Sequence, residues 1–201
     1  MTTKIILIRH GQTPWSIKKR YYSFTDIDLD GEGIKQARKL YRRLRKEKIH
    51  KVYSSDSKRA LDFAKIAFRG LPIKTTPALR EMNFGIFEGL SYREIMEEYP
   101  EIYTRWLNNP YNTLIPEGEN LNDFRERILK VFKKIISLSR NKTAAIVTHA
   151  GSIKIIIDDI LKSKNIWEIK SDLASLNIIE FEKKKAKARI RLLNDISYLD
   201  G

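Results

Sequence analysis

The chain has 201 residues, 42% of them hydrophobic and 10% aromatic, enough for one sizeable domain, expected over 1–201, whose core takes much of its surface out of water. Cysteine is absent, which excludes disulfides, thiolate nucleophiles and thiolate metal sites together, and the 3 histidines, His10, His50 and His149, are too scattered to announce a metal centre. A formal charge of +14 would draw in any anion, from nucleic acid to a small phosphate ester, and selects none of them.

From the N-terminus, KIILI (4–8) is a short, almost uniformly apolar run that empties into Arg9-His10-Gly11, the pattern of a buried central strand ending at a functional loop. It is too short to cross a membrane and turns polar at once, so neither a span nor a signal peptide is expected, and the cytoplasm is the expected location. A helix should open near Asp30 and run to about Lys48. Ala37, Leu40, Tyr41 and Leu44 fall there at helical spacing, which makes its many Lys and Arg a solvated face rather than a nucleic-acid surface. KVYSS (51–55) reads as a second strand, and SKRALDFAKIAF (57–68) as a helix with Ala60, Leu61, Ala64 and Ala67 inward and Arg59 in its first turn.

Beyond a Pro-bearing connection, Gly85, Gly89, Pro100, Pro110, Pro116 and Gly118 punctuate short helical pieces such as SYREIMEEY, so about 82–120 reads as a helical insertion, or lid, over the sheet and its active site. A strong helix follows, with Leu121, Phe124, Ile128, Val131, Phe132, Ile135 and Ile136 on one face. TAAIVT (143–148) is another apolar strand, ending at His149-Ala150-Gly151 and leading into a helix that carries Ile153, Ile156, Ile157, Ile160 and Leu161. Two more strands, around 175–181 and 188–193, are joined by the polar turn KKKAK. Strands alternating with amphipathic helices predict an α/β fold with a mostly parallel central sheet flanked by helices, and such sheets bind ligands beyond the carboxyl ends of their strands. Arg9-His10, the Ser54 to Arg59 stretch and His149 all lie at such ends.

Phosphoryl transfer needs fixed positive charge around the phosphate oxygens, an in-line nucleophile and an acid for the departing oxygen. Arg9 and Arg59 carry guanidinium forks suited to bidentate phosphate contacts, and Arg59 adds the favourable field of a helix N-terminus. His10 attacks only while its nitrogen is unprotonated, and neighbouring arginines would hold its pKa down. A protonated His149 would hydrogen-bond the phosphoryl oxygens.

The stretch IILIRHGQTPW strongly resembles the signature of the histidine phosphatase (phosphoglycerate mutase-like) superfamily. SSDSKRA with Arg59, LREMNFGIFEG with Glu81, and IVTHAGSIK with His149 follow in that family's order, so the resemblance covers nearly the whole chain. It implies a phosphoglycerate mutase-like fold, His10 as the phosphorylated nucleophile, Glu81 as general acid and later base, and a phosphate pocket of Arg9, Arg59 and His149. It implies no metal and no organic cofactor. Within the family, FGIFEGLSYREIMEEYPEIYTRW, PEGENLNDFRERI and LNDISYL look most like α-ribazole phosphatases of cobalamin biosynthesis, with phosphoserine and broad-specificity phosphatases, then phosphoglycerate mutases, as alternatives.

Three positions depart from the family's pattern. Ser16 stands where Asn is common, so a hydroxyl would have to take over a phosphate contact. Tyr22-Ser23 replaces Gln-Gly, and Gly118-Glu119-Asn120 replaces Gly-Glu-Ser. Each touches substrate recognition. Tyr22 either stacks on a ring-bearing substrate or packs as an ordinary aromatic, and Thr25 is a further candidate substrate contact. The expected partner is a small phosphorylated metabolite, with a homodimer allowed and neither nucleic acid nor a membrane expected. A non-catalytic module that holds an anion or nucleic acid is the reading from a different class.

Overall fold

A computed structural model describes residues 2–163, 165–182 and 188–200. In chain order the elements are β1 (Thr2–Arg9), α1 (Pro14–Ile17), α2 (Gly31–Leu44), β2 (Lys51–Ser55), α3 (Lys58–Ala67), β3 (Ile73–Thr76), α4 (Tyr92–Glu98), α5 (Pro100–Asn108), α6 (Leu121–Leu138), β4 (Thr143–Thr148), α7 (Ala150–Leu161), β5 (Leu176–Glu182) and β6 (Ala188–Asp195). Six strands form one sheet in the order β3-β2-β4-β1-β5-β6. β3, β2, β4 and β1 run parallel, β5 is antiparallel to β1, and β6 turns back along β5. The result is the mostly parallel α/β sheet expected from the alternation of elements.

The uniform hydrophobicity of β1 and β4 is explained by cover on both faces. Ile5, Leu7, Ala144 and Ile146 pack into a cluster with α6 and α7, while Ile6, Ile8, Ala145 and Val147 pack into a second with α2 and α3. Phe87, Ile95, Tyr103, Trp106 and Ile115, from the segment read as an insertion, are buried in the first cluster. Among the described residues no helix is long and apolar enough to cross a membrane.

Two details differ from the sequence reading. α2 stops at Leu44 rather than near Lys48, because no apolar residue continues its stripe through Arg45-Lys46-Glu47-Lys48, and the Glu47 N–H closes a turn on the Leu44 carbonyl at 2.9 Å. β3 was hidden by its position. As a four-residue edge strand with Lys74 and Thr75 exposed, it carries no hydrophobic alternation to read. The expected KKKAK turn lies outside the described residues.

Because β1, β2 and β4 are parallel and in register (Arg9 opposite Thr148, Ser54 opposite Val147), their carboxyl ends form one edge. Arg9-His10, Ser55 to Arg59 and His149 therefore meet there although up to 140 positions separate them in sequence (149 − 9).

Candidate active site

At that edge lies an open cleft of about 620 Å³ whose walls include Arg9, His10, Ser16, Tyr22, Glu81 and His149. His10 is 3% exposed. Its backbone is pinned from two sides, since its N–H donates to the Thr148 carbonyl at the end of β4 at 3.0 Å and its own carbonyl accepts from the Ala174 N–H, in the turn before β5, at 3.0 Å. Gly11 follows because the loop presses on α2, and a Cβ there would stand 2.9 Å from Gly33 Cα and from the Phe63 ring. The His10 Nδ1 lies 2.8 Å from the Gly11 carbonyl oxygen. A carbonyl only accepts, so Nδ1 carries the proton and the lone pair of the neutral ring resides on Nε2.

Burial first, then the charges of Arg59 and Arg9, hold His10 well below the ordinary histidine pKa. His149, 5.1 Å from it between ring centres, is held down by burial and the same two arginines, with His10 and Arg127 adding to the effect. Arg59 Nη2 donates to His149 Nδ1 at 3.4 Å, which leaves His149 Nε2–H for the Ser57 Oγ at 3.3 Å. In the free site His149 is thus neutral with both nitrogens engaged, rather than the imidazolium considered from sequence.

The arginines differ in exposure to the cleft. Arg9 lines it, held by a 2.6 Å bond from Nη1 to the Ser171 carbonyl. Arg59 is wholly buried one layer deeper, donating to the Ser23 carbonyl at 3.0 Å and the Thr25 carbonyl at 3.2 Å, with the Tyr22 ring 4.6 Å above its guanidinium carbon. Burial lowers the pKa of both, yet an arginine stays cationic. The charge of Arg59 acts on the site through His10, His149 and Tyr22.

Glu81 is 9% exposed and held at both oxygens, Oε1 accepting from the Met82 N–H at 3.0 Å and Oε2 from the Gly151 N–H at 2.8 Å, in the first turn of α7. Arg127 of α6 fixes the loop beneath it. Its guanidinium donates to the Ala78, Arg80 and Glu81 carbonyls at 3.2, 3.0 and 3.1 Å while pairing with Glu119 at 2.6 Å.

The remaining predicted contacts fare differently. Ser16 reaches the cleft wall, but its hydroxyl donates to the Thr13 carbonyl at 2.7 Å and accepts from the Thr13 N–H at 3.0 Å, closing a capping box on α1. No free hydroxyl donor is left there for phosphate. Thr25 does not line the cleft. Its hydroxyl donates to Glu88 at 2.8 Å, and its part is to present a carbonyl to Arg59. Tyr22 lines the cleft and is packed, with one face on Arg59, its ring edge-on to His10 at 6.3 Å, and its hydroxyl 2.9 Å from Thr13 Oγ1. Asn120 caps α6 by accepting from the Asp123 N–H at 2.9 Å, which is what Ser would do at that position, so this departure concerns the helix start and not recognition.

Sequence reasoning missed Glu88, whose carboxylate gathers the N–H groups of Ser23, Phe24 and Thr25 at 2.7, 3.3 and 3.2 Å together with the hydroxyls of Ser23 and Thr25. Its signal was present in the FEG of the Glu81 block. It also missed Ser57, Arg127, and the cleft residues Lys19 and Asp172. Among the described residues no three His, Asp or Glu side chains converge as a metal site would require.

Similarity to known proteins agrees with this geometry. Residues 5–196 match the family described as "Histidine phosphatase superfamily (branch 1)". Phosphoserine phosphatase 1 of Hydrogenobacter thermophilus is 29% identical over 188 residues, 90% of this chain and 88% of that protein. The adenosylcobalamin/alpha-ribazole phosphatase of Escherichia coli K12 is 27% identical over 191 residues, covering 93% and 94%. The crystal structure of the alpha-ribazole phosphatase from Shigella flexneri superposes with a TM-score of 0.87 at 27% identity over 96% of each chain. With three signature blocks lining one cleft, the fourth beneath it against His149, and a family match across nearly its whole length, the protein is an enzyme of the histidine phosphatase superfamily, branch 1.

Proposed function

We propose that the protein is a metal-independent phosphomonoesterase that hydrolyses a small phosphate ester through a phosphohistidine on His10, in the cytoplasm. The observation that carries this reading is the Nδ1–H bond of His10 to the Gly11 carbonyl, which leaves Nε2 as the unprotonated nitrogen in a cleft that also holds Arg9 and Glu81. In the first half-reaction Nε2 bonds to phosphorus, the ester P–O bond breaks, and a protonated Glu81 passes its proton to the departing oxygen, releasing the alcohol. In the second the Glu81 carboxylate takes a proton from water, the water oxygen bonds to phosphorus, and the N–P bond breaks to give inorganic phosphate and free His10. Arg9 neutralises the phosphoryl oxygens, and Arg59 acts from below. A dianion between the two histidines would raise the His149 pKa and turn it into a charged donor.

For the substrate we propose α-ribazole 5'-phosphate, with the enzyme acting in cobalamin biosynthesis. Phosphoserine is the second reading, because the relatives similar to this chain carry both names. Phosphate release in EDTA from α-ribazole phosphate, phosphoserine, 3-phosphoglycerate and p-nitrophenyl phosphate separates these substrates. His10→Ala should abolish release from all of them, and an acid-labile phosphoenzyme should form on wild type only. Unchanged turnover in that variant overturns the mechanism. Isomerisation of 3-phosphoglycerate without phosphate release would make the enzyme a mutase.

A further inference from the structure

Four residues of the cleft, Tyr21, Glu81, Phe84 and Ala150, also wall a second pocket of about 210 Å³. Its other walls include Trp106, Ile155 and Trp167, so its surface is almost entirely apolar and aromatic. The aromatic walls pack on one another and on Tyr103. Trp106 stacks on Tyr103 at 5.8 Å and meets Trp167 edge-on at 6.1 Å, while Tyr21 packs edge-on against Phe84 at 5.0 Å and its hydroxyl lies 2.5 Å from that of Tyr103. Trp167 is 53% exposed, a large aromatic surface left in water until something covers it.

The position of the pocket says which part of a substrate would enter it. An acid must be within hydrogen-bond reach of the oxygen it protonates, so the alcohol attached to that oxygen begins beside Glu81. Glu81 is a wall of both spaces, so the second pocket adjoins the side on which an alcohol would leave the phosphate at His10. Among the described residues its lining holds one charged side chain besides Glu81, Lys154, whose Nζ donates to the Trp167 carbonyl at 3.2 Å. An apolar cavity of about 150 Å³ takes a benzene molecule, so this one has room for one ring or a fused pair.

Resting on the phosphatase reading above, we propose that this pocket is the leaving-group subsite and that it selects phosphomonoesters whose alcohol carries a flat, uncharged ring. A small zwitterionic alcohol such as serine leaves it unfilled.

The test uses esters of primary alcohols with similar leaving groups, namely ethyl, benzyl and 2-naphthylmethyl phosphate, with phosphoserine alongside. Wild-type kcat/KM should be at least about tenfold higher for benzyl than for ethyl phosphate, in line with the discrimination that apolar pockets give. Trp167→Ala, at a half-exposed position that the fold should tolerate, should cut the benzyl-to-ethyl ratio by about threefold or more. A thermal melt checks that the variant is folded. A ratio near one in wild type, a ratio unmoved by Trp167→Ala, or phosphoserine outpacing benzyl phosphate overturns the subsite while His10-dependent release leaves the phosphatase reading standing. No His10-dependent release from any ester ends both.

Discussion

Glu81 and Gly151 occupy one space between them. The Gly151 N–H donates to Glu81 Oε2 at 2.8 Å, and a Cβ at position 151 would press on Oε1 and stand 3.1 Å from the carboxyl carbon. The N-terminus of α7 therefore both anchors the carboxylate and requires a glycine to do so.

Gly151→Ala should push the Glu81 carboxylate out of position without unfolding α7, since Ala is the better helix former. We expect kcat/KM, which reports the first half-reaction alone, to fall about 10²-fold for alkyl phosphates, the usual worth of a positioned acid. p-Nitrophenyl phosphate, whose leaving group departs without a proton, should lose little. Equal losses on both substrate types would remove Glu81 from the acid role.

Arg127 and Glu119 are both mostly buried, at 22% and 20% side-chain exposure, and the arginine also holds three carbonyls of the Glu81 loop. Removing one partner strands the other, so Arg127→Ala should cost about 3 kcal/mol of stability in urea unfolding. In a double-mutant cycle with Glu119→Ala the second change should add much less than it costs alone. Additive losses would show that the pair is not coupled.

Glu88→Gln replaces half of a carboxylate with donors that face the N–H and hydroxyl groups of residues 23–25. The loop supplies the carbonyls that seat Arg59. A stability loss of about 1–3 kcal/mol is expected from the unpaired donors, with kcat/KM down about tenfold as Arg59 shifts. A melt and a kinetic profile indistinguishable from wild type would show that the loop holds itself.

His10 and His149 both sit below the ordinary histidine pKa in the folded chain, chiefly through burial. The unfolded chain, with values near ~6.5, therefore binds protons first as the solution is acidified. The stability these two contribute is present above pH ~6.5 and lost below it, at up to about 1.4 kcal/mol per pH unit for each. Urea midpoints between pH 7 and 5 should fall, and the slope should be shallower in His10→Gln and His149→Gln. The same depression keeps His10 unprotonated, so the enzyme-derived acid limb of kcat/KM should also lie below pH ~6.5. A flat stability profile would mean that neither ring is held neutral.

The pattern of residues alone determined much of this protein. Apolar runs at 4–8 and 143–148 announced strands buried on both faces, and the stripes beginning at Ala37, Ala60, Leu121 and Ile153 announced the helices that cover them. Polar Arg9-His10, Arg59 and His149 at the ends of those elements marked the site, because periodicity and strand ends are local properties that a single sequence carries. What tertiary structure alone decided was the use to which each polar atom is put. Ser16 and Thr25 read as ligands because a free hydroxyl is what a sequence displays, yet their hydrogen bonds go to Thr13 and Glu88. The depth of Arg59, the packing of Tyr22 on it, the tautomer of His10 and the apolar pocket beside Glu81 all arise where segments distant in the chain touch. Burial and hydrogen-bond partnership are set by those contacts, which leave no periodic trace in the sequence.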